Sequence, residues 1–204
     1  MRGVLMNLKL SLEEALGPAG ALRLNDIDID TGSIRAVLIN EVVPENPDDD
    51  FYGKTGELYL STTLPLFRKA GFEAESISDL LNSGVYITNA VKTPKTEYAI
   101  EKGEMEKSLP WLEKELSLFP NVRVIMLMGD VAKKMFNQIA KKHTKKNAIP
   151  SGATYKIRQT PFYTGGIRVM PSYIITGGNI LIEKSKCAMI SEDLKTMSEI
   201  IRDN

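Results

Sequence analysis

Hydrophobic positions in this chain follow two rhythms. Short, nearly unbroken apolar runs occur at SIRAVLINEVVP (33–44), GVYITNAV (84–91), VRVIMLMG (122–129) and GIRVMPS (166–172). Runs this continuous mark strands covered on both faces. Between them lie stretches with helical spacing, at 56–72, 76–84, 104–120, 130–142 and 185–202. In the first of these Pro65 predicts a kink and Gly71 a C-cap. In EMEKSLPWLEKELSLFP, Trp111, Leu112, Leu116 and Phe119 fall on one side of a helix. Asp130 is placed to N-cap DVAKKMFNQIAKK. Strand–helix–strand alternation predicts an α/β three-layer sandwich, a central, mostly parallel four-stranded sheet flanked by helices. The 204 residues contain no repeat and no low-complexity linker, so one domain over 1–204 is expected.

Composition narrows the partners. Lys plus Arg and Asp plus Glu both number 26, and the resulting zero net charge argues against a surface coated in positive charge. A local basic face is still compatible with it. Cys187 is the single cysteine, which removes a disulfide framework and any multi-cysteine metal site. A lone Cys in a chain with nine Met fits a reducing, cytoplasmic setting. No apolar run is long enough to span a membrane, so no membrane partner is expected. The sole histidine, His143, lies in AKKHTKKN and reads as a solvated surface residue.

In open α/β sheets, ligands bind outside the carboxyl ends of the strands. That rule selects the segments 40–56, 89–98, 128–131 and 170–179. The first, NEVVPENPDDDFYGKTG, carries Glu41, Glu45, Asp48, Asp49 and Asp50. It is either a solvated acidic loop or a weak candidate for a hard cation, and no DxDxDG or phosphate-loop pattern accompanies it. Phe51 either plugs the core or stacks on a flat ligand. Asn89 sits at the end of a core strand, where an unsatisfied amide costs about 1–3 kcal/mol. It either caps local backbone or presents a fixed donor–acceptor pair to a heterocycle. The lysines at 133, 134, 141, 142, 145 and 146 form a solvated helix face or a phosphate-tracking patch.

Taken in order, these stretches resemble the uracil-DNA glycosylase superfamily, most closely its bacterial iron–sulfur branch. Phe51 to Leu58, FYGKTGEL, looks like that branch's FVGRAGQLL segment, and Tyr86 to Lys92, YITNAVK, is similar to its YITNVVK strand. Ser108 to Leu116 is similar to CRPYLEEQL, and Val124 to Lys133 to IVALGATAAK. Arg168 to Ser172, RVMPS, falls at the family's His-Pro-Ser motif, with Met170 in place of the histidine. Thr93 and Ser108 stand where two cluster cysteines would be, so no iron–sulfur cluster and no other cofactor is expected.

The resemblance implies hydrolysis of the N-glycosidic bond of uracil or another deaminated or damaged base in DNA, with the base flipped into a pocket. Phe51 would stack on the base and Asn89 would read its edge. Glu41 is the first candidate for a carboxylate beside the sugar, with Asn40 or one of Asp48 to Asp50 positioning water. A thioether cannot donate a hydrogen bond to the departing base, so backbone N–H groups, Ser172 or Tyr173 in the Met170-Pro171-Ser172-Tyr173 segment would meet its charge. Lys54, Lys92 and Lys95 would contact phosphates. The missing histidine also supports an alternative, a divergent relative that binds a nucleobase, nucleotide or DNA without excising uracil.

Overall fold

Branched and long aliphatic side chains dominate the four apolar runs, and each run becomes a strand of one sheet. The computed structural model describes residues 5–54, 58–94 and 100–202. It begins with β1 (Leu5–Asn7), α1 (Leu8–Leu16) and β2 (Asp28–Asp30), with β1 and β2 paired antiparallel. There follow β3 (Ala36–Val42), α2 (Leu58–Lys69), α3 (Ile77–Asn82), β4 (Val85–Val91), α4 (Lys102–Ser117) and β5 (Val124–Met128). The remainder is α5 (Asp130–Thr144), α6 (Thr154–Ile157), β6 (Phe162–Thr164), β7 (Ile167–Ser172) and α7 (Lys184–Arg202).

The central sheet has the order β4-β3-β5-β7-β6. Its first four strands are parallel, and β6 pairs antiparallel with β7 at one edge. The expected mostly parallel α/β sandwich is therefore present, with a fifth strand added. Three residues are too few for a strand rhythm to show in the sequence. Pro65 lies inside α2 and does not end it.

Strand periodicity sorts the core into two layers. Val37 and Ile39 of β3 and Ile125 and Leu127 of β5 pack with α1, α4 and α5, through Leu8, Leu112 and Met135. Ala36 and Leu38, with Val124 and Met126, pack with α2, α3 and α7, through Phe67, Leu80 and Leu194. The chain reverses between β3 and β5, since β4 lies on one side of β3 and β5 on the other. This switch point is where such sheets leave room for a ligand.

Strand β4 is an outer strand, and its free backbone groups are covered. The Ile87 N–H donates to the Tyr52 hydroxyl at 3.2 Å, and the Arg23 N–H donates to the Lys92 carbonyl at 2.8 Å. Tyr52 reaches the edge because the segment after β3 folds back across it. Gly53 makes that turn workable: a Cβ there would lie 2.3 Å from the Asp48 carbonyl oxygen.

Helix α4 buries Trp111, Leu112 and, just beyond its end, Phe119, as its spacing predicts, whereas Leu116 is only partly covered. It also buries Glu115, which no amphipathic reading would place inside. The partner is Lys92, expected from the family resemblance to face phosphate. The fold overturns that expectation: Lys92 is 1% exposed, and its Nζ lies 2.6 Å from the Glu115 carboxylate and 2.6 Å from the Thr88 hydroxyl. The Tyr86 hydroxyl donates to the other Glu115 oxygen at 2.5 Å. Burial holds the Tyr86 phenol well above its ordinary pKa, so it remains a donor. Removing one partner of such a pair strands a buried charge, at a cost of about 3–5 kcal/mol. Lys92→Met is therefore expected to lower unfolding stability by that order, and Lys92→Met/Glu115→Leu to cost less than Lys92→Met alone. Urea denaturation of the two variants and the wild type checks this.

Candidate functional site

The carboxyl ends of β3 and β4 carry amides side by side, because parallel register pairs Asn40 with Asn89. Both side chains continue the face of Leu38 and Ile87, toward α2. Both are 1% exposed. The Asn40 Nδ2 donates to the Asn89 Oδ1 at 3.0 Å. The Asn89 Nδ2 in turn donates to the Asp50 carboxylate, at 2.9 Å to Oδ1 and 3.1 Å to Oδ2. Asp50 also accepts the Phe51 N–H at 2.8 Å. The Asn40 Oδ1 closes the chain as a buried acceptor without a hydrogen-bond partner among the described residues.

Asp50 thus occupies the donor side of the Asn89 amide. Burial pushes its pKa up, against the lowering pull of the Phe51 N–H and the Asn89 amide. Phe51 is fully buried beneath it, its ring 5.1 Å from that of Tyr59. Tyr59 anchors the arrangement by donating to the Val42 carbonyl at 2.7 Å. Phe51 and Asn89 therefore lie together, one residue on each side of Asp50, but sealed from solvent.

Glu41 points to the opposite face of β3, as alternation requires. Its carboxylate accepts the Val131 N–H at 3.0 Å, in the first turn of α5. This replaces the expected cap: Gly129 is the N-cap, and Asp130 is the first residue of the helix. The helix N-terminus favours an anion there. Gly129 has a φ of 105°, and a Cβ on it would come 2.4 Å from the Glu41 carboxylate, so only glycine lets the two approach.

Two cavities meet at Glu41. One of about 450 Å³ is lined by Glu41, Gly129, Ser172, Tyr173 and Thr154. Another of about 350 Å³ is lined by Asn40, Glu41, Leu58 and Tyr59. Gly177 and Gly178 line both. Together they form a cleft along the carboxyl edge of the sheet, above the sealed amides.

The motif at residues 170–172 is strand, with its residues divided between core and cleft. Met170 is 2% exposed and packs in the α7 layer. Pro171 is buried opposite Leu127. Ser172 reaches the cleft wall, and its hydroxyl donates to Asp193 at 2.6 Å. Asp193 is held from the other side by Arg158 at 2.7 Å, and burial raises its pKa. Neither Asp193 nor Arg158 was singled out from sequence. The available signal is an acidic residue inside the buried stripe Cys187, Ile190, Leu194, Met197 of α7.

Lys54 is exposed and paired with Asp48 at 2.5 Å. Lys95 lies outside the described residues. His143 is exposed, with Glu113 2.6 Å from its Nε2. An iron–sulfur cluster does not fit the side chains present. The Ser108 hydroxyl accepts the Lys92 N–H at 2.8 Å, the Thr93 hydroxyl is buried, and Cys187 lies on α7. Among the described residues no helix is long and apolar enough to cross a membrane.

The family model described as Uracil DNA glycosylase superfamily matches residues 42–186. The chain belongs to the uracil-DNA glycosylase superfamily. The type-5 uracil-DNA glycosylase of Thermus thermophilus is 30% identical over 131 residues, 61% of this chain and 56% of that protein. The chain thus spans little more than half the length of that relative. The superfamily match takes in Phe51, Asn89 and Ser172, and begins just after Asn40 and Glu41.

Within this superfamily scaffold the raised pKa of Asp50 has a measurable sign. Between the ordinary carboxylate pKa and the raised value, the folded chain holds more proton than the unfolded one, so stability falls as pH rises through that window. Asp50→Asn keeps an acceptor for Asn89 and removes the buried charge. It is expected to match or exceed the wild type in stability at neutral pH, with the difference vanishing below the ordinary carboxylate range. Chemical denaturation across that pH range reads the difference directly.

Proposed function

We propose that this protein hydrolyses the N-glycosidic bond of uracil or another deaminated base in DNA. The observation that carries the reading is the paired amide system, Asn40 beside Asn89, next to a Glu41-lined cleft on a uracil-DNA glycosylase scaffold. A base flipped from the stack would enter over these amides. Asn89 offers a donor and an acceptor, matching the O4 and N3–H of uracil, and mismatches an amino group, which would leave buried partners unpaired. Entry requires Asp50 to leave the Asn89 Nδ2. The segment that moves with it carries Phe51, whose ring then supplies stacking worth about 1–3 kcal/mol.

Cleavage develops positive charge on the sugar, and a fixed carboxylate in a preorganised site stabilises it. Glu41 suits the task because the α5 N-terminus orients it and favours its anionic form. Asn40 lines the cleft, and its buried Oδ1 has no hydrogen-bond partner among the described residues, which supports a role in holding the attacking water. The departing base is an anion. The Ser172 hydroxyl donates its hydrogen bond to Asp193, so Tyr173 is the remaining hydroxyl donor in the 170–173 segment.

A second reading, binding of a nucleobase, nucleotide or DNA without excision, draws on the occupied Asn89 amide and the buried Met170. One assay separates the two. Single- and double-stranded oligonucleotides carrying uracil, hypoxanthine or xanthine are incubated with the protein, and abasic sites are cleaved and counted. Abasic sites are expected with at least one base, with Asn89→Ala removing the activity and Glu41→Gln lowering it on the order of a hundredfold. Absence of abasic sites with every base, from folded protein, would leave only the binding reading.

A further inference from the structure

A third cavity, of about 600 Å³, opens beside the cleft between α6 and the start of α7. Tyr155 and Tyr173 line it, with Lys184, Lys186 and Met189 around them. Tyr173 and Lys186 also line the 450 Å³ cavity at Glu41, so the two spaces adjoin. A site of this volume suits a small flat ligand.

Tyr155 is 61% exposed, a large aromatic surface left to water. The charge of Lys156 lies 5.7 Å from its ring centroid, and no aromatic ring packs on it among the described residues. The rim is basic: Lys186 pairs with Glu183 at 2.5 Å, whereas Lys184 has no carboxylate partner among the described residues. An exposed aromatic ring beside a second, partly buried one, flanked by lysine amines, matches the chemistry of an unpaired nucleotide, whose base stacks and whose phosphate meets the amines.

The platform under Tyr155 is held at both ends. The Lys133 Nζ donates to the Thr154 hydroxyl at 3.0 Å, tying the start of α6 to α5. Arg158, 7% exposed at the end of α6, binds Asp193 and Glu192 of α7. Two nearly buried cations are a costly way to fix one turn of helix. Their effect is to present Tyr155 in a preset position, which lowers the ordering cost of binding.

We propose that Tyr155 and Tyr173 form a stacking subsite for an unpaired nucleobase next to the one read in the cleft. The proposal rests on the reading of this protein as a DNA-base glycosylase, and goes beyond it by naming where a neighbouring nucleotide lies. Tyr163 provides the control. It is 63% exposed and, like Tyr155, has a cation over its ring, Arg168 at 5.5 Å, but it lines none of the three cavities.

The test is fluorescence anisotropy with a short dye-labelled single strand, the same strand annealed to its complement, and a free nucleoside monophosphate as competitor. Wild type, Tyr155→Ala, Tyr155→Phe and Tyr163→Ala are compared. Tyr155→Ala is expected to weaken single-strand binding about tenfold, a typical loss for one stacked base. Tyr155→Phe and Tyr163→Ala should bind like the wild type, and the duplex should show a smaller Tyr155 effect. Unchanged binding by Tyr155→Ala, an equal loss in Tyr163→Ala, no binding of single strands by the wild type, or competition showing that only the free mononucleotide occupies the site would each overturn the proposal. Failure of excision with a Tyr155-dependent affinity intact would refute the glycosylase reading and leave the subsite standing. Excision without that dependence would do the reverse.

Discussion

The parallel pairing of β3 with β4 is the constraint from which the site follows. It sets Asn40 beside Asn89 at the carboxyl edge and turns both amides toward the α2 layer. Alternation then sends Glu41 to the other face, where α5 begins. One register therefore produces an amide pair on one side of the strand end and an anchored carboxylate on the other. A shift of one residue would exchange the two faces and bury Glu41 where Asn40 now lies.

Two buried cations in this half of the molecule are paired with carboxylates. Lys92 and Glu115 tie β4 to α4. Arg158 and Asp193 tie α6 to α7, and Ser172 of β7 joins them through its hydroxyl. Such pairs contribute little net stability once desolvation is counted. Their consequence here is positional: one fixes α4 on the outer strand, and the other fixes α6 and α7, which line the cleft through Thr154 and Lys186.

The loop after β3 has a double role. It covers the outer edge of β4 through Tyr52, and it places the Asp50 carboxylate on the Asn89 amide with Phe51 sealed below. The Asn89 rotamer is thus fixed by hydrogen bonds at both ends, from Asn40 to its oxygen and from its nitrogen to Asp50. Membership of the uracil-DNA glycosylase superfamily supplies the scaffold for this arrangement. Of the positions where this chain departs from the iron–sulfur pattern, Ser108 accepts the Lys92 N–H and Met170 packs in the core.

The sequence by itself determined the four parallel strands and helices α2, α3, α4, α5 and α7, but not α1, because hydrophobic rhythm is a local property and a doubly covered strand has to be apolar throughout. It also determined the family, through motifs spaced along 42–186. It picked out Asn89 as an amide at a strand end, and left open whether that amide capped backbone or faced a ligand. Short elements such as β6 escaped notice, since three residues carry no rhythm. Only the tertiary structure decided which charges go inside. Lys92 reads as a surface lysine until Glu115, 23 positions away, is brought to 2.6 Å from it. Asp50 reads as one of three loop aspartates until Asn89 meets it across the strand edge. Burial of a charge depends on a partner distant in sequence, and no local pattern records who that partner is.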